Sequence, residues 1–336
     1  MQIATVAAKR CFNKRLSGLV NACLLSALAF IAGACQAEDK KPQLTLVVSI
    51  QPLYLLAQEV LGDLVTVERL LPPGASPHGF QLAVSERRRL DRADLVLWVG
   101  PGMEAFLAPL VRRRPHLQAD RLAGIEWPSS GAVALIPEHE HSNEHQHEHE
   151  QENEHTHDHS EADQHLWLNP ANARVIAKAL VAQLSEQLTN ESDRAQLHEQ
   201  LKQFLTRSSQ NDQRWQAQLS AMAQQPWLVY HDALRHFQSH YQLRDYQIVT
   251  LSPEKRPGAR HLYRLREQLQ PGQCLLVEDY YPTQQAAKLA GEFNLQTFSI
   301  DPLGVSATSY QTLMQNLVDQ ISACLTAAAH NESDPH

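Results

Sequence analysis

The chain has 336 residues, 43% of them hydrophobic, and carries a formal net charge of −8 at pH 7. A chain of this length usually forms more than one hydrophobic core, so we expect two lobes. The acidic balance argues against nucleic acid as a partner, because a protein that binds nucleic acid needs a basic surface.

The amino-terminal segment has the layout of a secretory signal. Four basic residues precede a largely apolar run over residues 16–34 that ends in small side chains. The most apolar part of this run is too short to span a membrane comfortably. We therefore predict a signal peptide over residues 1–37 and a periplasmic mature protein. A lipid anchor on Cys35 is the less favoured alternative, because Ala32 stands where lipoprotein signals usually carry leucine.

Beyond the signal, short β-branched runs alternate with helical stretches, which is typical of an α/β fold with parallel sheets. The predicted strands are 44–50, 65–71 and 95–100 in the first half, and 227–230, 247–251, 274–278 and 295–300 in the second. We therefore expect two lobes, each with a mainly parallel sheet flanked by helices.

Two helices are predicted between these sets of strands. Asn169 and Pro170 provide an N-cap and a first-turn proline for a helix with one buried face. The second helix, over 191–223, is long, Gln-rich and polar, which suits a solvent-exposed connector. The predicted organisation is an N-terminal lobe over 38–190, this connecting helix, a C-terminal lobe over 224–326 and a flexible tail over 327–336.

A low-complexity segment over residues 138–163 interrupts the first lobe. It contains ten acidic residues and no Lys or Arg, and its lack of bulky apolar residues predicts a disordered loop. Imidazole suits zinc, copper and nickel, so the loop is interpreted as metal-collecting; a solvated acidic linker is the alternative. Its histidines are His139, His141, His145, His147, His149, His155, His157 and His159.

A disordered segment cannot provide one fixed ligand geometry, so we expect the selective site where strands end, since open α/β sheets present ligands there. The candidates at strand ends, or at the junction between the loop and the first long helix, are His78, His165, His231, Glu278 and Asp301. A lone histidine after a strand is more often structural, so these positions alone do not establish a site.

Cys274 and Cys324 remain in the folded region once the signal is removed. In an oxidising compartment the two most simply form a disulfide, which would stabilise the chain by about 4 kcal/mol for a loop of roughly 50 residues. A pair of thiolate zinc ligands is the alternative, but such pairs usually have close spacing.

Several motifs together resemble the zinc-binding component of bacterial ABC importers, the ZnuA type of metal-specific solute-binding proteins. They are Gly74-Ala75-Ser76-x-His78, Trp98-Val99-Gly100-Pro101-Gly102-Met103-Glu104-Ala105-Phe106, the acidic His-rich insertion, His165-Leu166-Trp167-Leu168, His231-Asp232-Ala233, Pro253-Glu254-x-x-Pro257-Gly258-Ala259 and Asp301-Pro302-Leu303-Gly304. The resemblance covers nearly the whole mature chain. It implies two lobes joined by a long helix, and also implies that Cys274 and Cys324 pair.

The resemblance further implies a metal ion held in the cleft between the lobes by His78, His165 and His231. Manganese-binding relatives carry a carboxylate in place of the third histidine, so three imidazoles favour Zn²⁺. Three neutral ligands leave room for a fourth, for which Asp301 is the first choice and water the alternative.

Three neighbouring positions refine this ligand set. Glu278 is predicted to support a ligand from behind or to replace Asp301 as the fourth ligand. Asp232 is predicted to orient backbone or imidazole. Some relatives carry Glu immediately before the first histidine, but this chain has Pro77 there, so a fourth ligand from that position is excluded.

The predicted function is capture of Zn²⁺ outside the cytoplasm and its delivery to the permease of an ABC importer with its cytoplasmic ATPase, by a protein that is monomeric. The alternatives are a protein of the same fold that binds manganese, iron or copper, or one that acts in adhesion or metal storage. A zinc hydrolase is disfavoured because no His-Glu-x-x-His or Gly-x-Ser-x-Gly motif is present. We therefore expect a binding protein and not an enzyme.

Overall fold

The computed structural model describes residues 43–128, 163–251, 257–270, 272–278, 280–281 and 284–332. The predicted signal peptide, Cys35 and the eight loop histidines lie outside these ranges. Within them, no helix combines the length and the apolar character needed to cross a membrane. The described residues from Leu44 onward belong to one compact unit.

The first sheet has four parallel strands in the order β2-β1-β3-β4. They are β1 (Thr45–Val48), β2 (Thr66–Arg69), β3 (Leu95–Trp98) and β4 (His116–Gln118), and the helices of this part are α1 (Gln51–Leu61), α2 (Val84–Arg92) and α3 (Ala108–Val111). The central strand β3 is buried throughout, as expected for an apolar run covered on both faces. The edge strand β4 was not predicted from the sequence.

The second sheet repeats this arrangement with the parallel order β6-β5-β7-β8. Its strands are β5 (Trp227–His231), β6 (Gln247–Thr250), β7 (Cys274–Glu278) and β8 (Gln296–Ile300). Between the sheets in sequence lie α4 (Pro170–Ser185) and α5 (Glu191–Ser220), while α6 (Arg235–Tyr241), α7 (Ala259–Gln268), α8 (Gln284–Phe293) and α9 (Tyr310–Glu332) belong to the second half.

An asparagine caps the first turn of each of the two helices between the sheets, α4 and α5. The Asn169 side chain accepts a hydrogen bond from the backbone of Ala171 at 2.8 Å, and Asn190 does the same for Ser192 at 3.0 Å. Each cap satisfies one N–H group that has no partner within its helix. The predicted N-cap at Asn169 is therefore present.

Helix α5 is more than a connector. With 30 residues it spans about 45 Å at 1.5 Å per residue. It buries a stripe that includes Leu197, Phe204, Trp215 and Leu219, and it packs on α1, α4 and α9. Most positions of the helix are exposed, as predicted, but a few large apolar side chains at helical spacing form a buried face on the polar segment, which was not predicted.

The last helix, α9, links the two sheets. It packs against α1 and α5 as well as β7 and β8, and one hydrophobic cluster contains Leu55 of α1 together with Leu317 of α9. The helix continues to Glu332 and buries Ala328, so the flexible tail predicted from residue 327 was wrong over its first part.

The disulfide between Cys274 and Cys324 is confirmed. It joins β7 to α9 with a Cα–Cα separation of 5.4 Å, and both residues are fully buried. The covalent bond therefore fixes the last helix to a central strand of the second sheet.

Candidate metal centre

Three histidines from distant parts of the chain converge. His78 lies in the loop between β2 and α2, His165 directly precedes a short 3₁₀ turn, and His231 is the last residue of β5. The ring centroids are 5.5 Å apart for His78 and His165, 5.7 Å for His78 and His231, and 5.2 Å for His165 and His231. One ring nitrogen from each lies within 4.8 Å of the others. This spacing could hold a metal ion, since zinc binds imidazole nitrogen at about 2.0–2.1 Å.

The loop that carries His78 is conformationally restricted. Two prolines, Pro72 and Pro73, precede Gly74, which has a φ of 74°, a backbone region that favours glycine. Pro77 is buried directly before His78, and a proline fixes its own φ. These residues hold the loop near one conformation and so limit where His78 can lie.

The imidazole of His165 is fixed by a carboxylate. Its Nδ1 lies 2.5 Å from Oδ1 of Asp163, which also accepts the backbone N–H of His165 at 2.9 Å. Burial alone would raise the pKa of the Asp163 carboxyl, but the nearby His165 and His236 lower it well below its ordinary value. The ionised carboxylate accepts a hydrogen bond from Nδ1–H and leaves Nε2 of His165 as the metal-binding atom.

A second carboxylate supports His231. His231 and Glu278 are the last residues of the neighbouring parallel strands β5 and β7, each two positions after the paired residues Val229 and Leu276. Nδ1 of the histidine lies 3.2 Å and 3.3 Å from the two carboxylate oxygens. The opposite nitrogen, Nε2, is buried without a hydrogen-bond partner among the described residues. A buried polar atom in this state is costly unless a ligand satisfies it.

Protonation competes for this imidazole. Burial would lower the pKa of His231, but the adjacent carboxylate of Glu278 raises it, and the net shift is upward from the usual histidine value. The same carboxylate that would strengthen metal binding therefore also favours the proton. Glu278 thus contacts a predicted ligand, and its role as a supporting residue or as a fourth ligand stays a prediction.

Asp301 does not belong to the group of three converging histidines. Its Oδ2 accepts hydrogen bonds from the backbone and the hydroxyl of Ser306 at 3.2 Å and 3.3 Å. Its Oδ1 is buried with no hydrogen-bond partner in the part of the chain that the structure describes. The prediction that Asp301 supplies the fourth ligand therefore stays a prediction.

Asp232 has other partners than the imidazole of His231. Its Oδ2 accepts from Nε of Arg235 and its Oδ1 from the hydroxyl of Tyr246, each at 2.8 Å. These contacts connect the segment after β5 to Arg235 and Tyr246, and the orienting role of Asp232 stays a prediction.

Asp163 was not among the predicted site residues, because it was assigned to the disordered loop over 138–163. The structure describes this residue and buries its side chain to 3% exposure against His165, so the predicted loop extends one residue too far. The available signal was a carboxylate two residues before a candidate ligand, but the surrounding acidic run concealed it.

Comparison with known proteins identifies the family. The family model described as "Zinc-uptake complex component A periplasmic" matches residues 46–324. The chain belongs to this zinc-uptake component A family. Among its relatives, the high-affinity zinc uptake system protein ZnuA of Yersinia pestis is 32% identical over 83% of this chain and 90% of its own length. The protein of that name from Haemophilus ducreyi is 32% identical over 83% and 92%.

Solved structures share the fold of this zinc-uptake component A chain. A crystal structure of ZnuA has a TM-score of 0.65 at 19% identity and covers 84% of this chain and 99% of its own. The periplasmic zinc-binding protein TroA from Treponema pallidum has a TM-score of 0.65 at 15% identity, with the same coverage. The predicted two-lobed α/β fold is confirmed. Family membership likewise confirms a binding protein for metal uptake instead of an enzyme.

Proposed function

We propose that this chain captures Zn²⁺ in the periplasm and delivers it to an ABC importer. The observation that carries the proposal is the convergence of His78, His165 and His231 with one nitrogen of each within 4.8 Å of the others. Family membership and the names of the relatives, which are zinc uptake proteins, support zinc as the cargo.

The ligand chemistry supports zinc over manganese. Three imidazoles form a nitrogen-rich set, whereas manganese prefers harder oxygen ligands. The carboxylates of Asp163 and Glu278 contact the Nδ1 atoms of two of these rings, which increases ligand basicity and adds negative charge near a divalent ion. Iron and copper are the other candidate ions, and a competition experiment must distinguish them from zinc.

Asp301 or water completes the coordination. The buried Oδ1 of Asp301 has no hydrogen-bond partner among the described residues, which supports it as an oxygen ligand if its loop moves toward the histidines. A water molecule would serve if that loop stays in place, since open zinc sites commonly have three protein ligands and water.

The remaining parts of the proposal concern the rest of the system. The signal peptide over 1–37 exports the chain, the monomer binds zinc between an N-terminal and a C-terminal lobe, and a membrane permease with its cytoplasmic ATPase receives the ion. The eight histidines over 139–159 collect zinc close to His165, since they precede it in sequence.

Zinc titration of a His231→Ala variant tests the centre. Residues 138–162 are deleted in all proteins compared, so that loop sites do not contribute and Asp163 is kept. His116→Ala is the matched control, because this histidine lies in β4 and is outside the group of converging ligands. We expect one zinc per chain in the control and a loss of at least about 100-fold in affinity in the variant, the order of one lost ligand bond.

Unchanged affinity in His231→Ala would show that the three histidines do not form the site. Repeating the titration with manganese, iron and copper in competition identifies the preferred ion. Comparison of the full chain with the deleted chain then counts the additional ions held by residues 138–162, and equal stoichiometry would refute the collecting role.

A further inference from the structure

Asp163 contacts two parts of the chain that are far apart in sequence. Its Oδ1 accepts hydrogen bonds from the backbone N–H and from Nδ1–H of His165, at 2.9 Å and 2.5 Å. Its Oδ2 accepts the backbone N–H of Arg235 at 3.1 Å. Arg235 is the first residue of α6 and lies four residues after His231. Both oxygens of the Asp163 carboxylate therefore accept hydrogen bonds, one from His165 and the other from Arg235.

The backbone of Asp163 is held by the same helix. Nε2 of His236 lies 2.9 Å from the carbonyl oxygen of Asp163. Nδ1 of His236 lies 3.3 Å from the side-chain amide nitrogen of Asn172 in α4. Since the amide nitrogen only donates, Nδ1 accepts and Nε2–H donates to the carbonyl. The burial of His236 lowers its pKa, in agreement with this neutral form.

The geometry excludes Asp163 as a direct ligand of the same ion. It lies at Nδ1 of His165, which leaves Nε2 on the opposite side of the ring, and it does not belong to the group of converging ligand atoms. The side chain is 3% exposed, and its oxygens already accept three hydrogen bonds from His165 and Arg235. A role through His165 is therefore the one that the contacts support.

We propose that Asp163 is a positioning residue: anchored by Arg235 and His236 of the second half, it fixes the ring orientation and tautomer of His165 before metal binds. The inference rests on the proposed zinc site and deepens it, since it makes one ligand depend on the segment that follows another, His231. The proposed positioning role also requires a carboxylate at residue 163. An asparagine at this position would direct its NH₂ group toward the donors of either His165 or Arg235 and would lose the hydrogen bonds on that side.

The first test is the tautomer of His165 in metal-free, full-length protein labelled with ¹⁵N-histidine. His165→Ala identifies the signal. We expect Nδ1–H in the wild type and a shift toward Nε2–H in Asp163→Ala. The matched control is Asp212→Ala, which removes a different half-buried carboxylate paired with a histidine, His240, at 2.8 Å, and should leave the His165 signal unchanged. An unchanged tautomer in folded Asp163→Ala would overturn the proposal.

The second test is a double-mutant cycle on the tightest zinc site, measured by chelator competition. Asp163→Ala should weaken zinc binding about 10- to 100-fold, as second-layer partners of metal ligands commonly do. In a His165→Ala background the same change should cost less than about threefold, because the effect acts through the missing ring. Equal losses in both backgrounds would show a general structural role and overturn the proposal.

Asp163→Asn is used if the alanine variant does not fold by circular dichroism. It should bind zinc more weakly than the wild type, and wild-type affinity would refute the requirement for two acceptor oxygens. Failure of the zinc proposal is distinguishable, because the tautomer is measured without metal. If His231→Ala leaves zinc affinity unchanged, the site is wrong, while a tautomer shift in Asp163→Ala still shows that this carboxylate positions the ring.

Discussion

Replacement of Glu104 by Gln should remove a pH dependence from the stability of the metal-free protein. Glu104 follows β3 and is fully buried. Its Oε2 accepts the backbone N–H groups of Val99 and Gly100, each at 3.0 Å. Burial raises the pKa of the carboxyl from 4.5 to about 7, although these hydrogen bonds act in the opposite direction.

The sign follows from proton binding. Between pH 4.5 and about 7 the folded protein keeps the Glu104 proton that the unfolded chain releases. The stabilisation is therefore complete below pH 4.5 and is lost as the pH rises toward 7. A shift of roughly 2.5 units at 1.36 kcal/mol each corresponds to about 3 kcal/mol over this window. Glutamine cannot titrate, so the variant lacks this contribution.

Urea unfolding followed by tryptophan fluorescence, with a chelator present and the disulfide intact, measures the effect at pH 5 and pH 7.5. The wild type should lose about 2 kcal/mol more than Glu104→Gln between these values, slightly less than the full shift because both pH values lie inside the titration range. Contributions from the histidines cancel in this difference. Glu199→Gln, which removes an exposed carboxylate, should keep the wild-type profile. Parallel profiles for wild type and Glu104→Gln would refute the reasoning.

Three further outcomes are expected. Replacing Cys324 by Ser breaks the bond to Cys274 and should lower the free energy of unfolding by about 4 kcal/mol, measured by urea denaturation without reductant. Glu278→Gln should weaken zinc binding about 10- to 100-fold in a chelator competition, because it weakens the support of His231; unchanged affinity would contradict this role. Gly304→Ala should cost about 3 kcal/mol in thermal unfolding, since φ is 65° and the added methyl would lie 2.5 Å from a leucine of α9.

Two of the correctly predicted strands are apparent from their local composition alone. β3 and β7 are buried throughout, and such strands appear as continuous apolar runs. β4 was not predicted because it has only three residues and begins with His116. Neither its length nor an alternating apolar pattern distinguishes it from a loop. Trp215 was missed for a related reason, because a polar helix conceals the few positions that pack on distant elements.

The site residues also divide into those that the sequence predicts and one that it does not. His78, His165 and His231 were found because they occur in motifs shared with a family, and the structure brings them together. Asp163 was missed because it lies at the end of an acidic run, and no local pattern reports its second contact, with Arg235, 72 residues away. The composition of the segment that ends at Asp163 predicted disorder. Such a prediction averages over the whole segment and does not distinguish its last residue.

The core that the two halves share holds the imidazoles in their converging positions. Nε1 of Trp167 donates to the carbonyl of Pro302 at 2.9 Å, and the hydroxyl of Tyr310 donates to the carbonyl of Trp167 at 2.8 Å. Both rings are fully buried, so wide separation of these segments would break hydrogen bonds in an apolar environment at about 1–3 kcal/mol for each group left unsatisfied. Such packing favours a preorganised ligand set, which raises affinity because less ordering remains for the binding step.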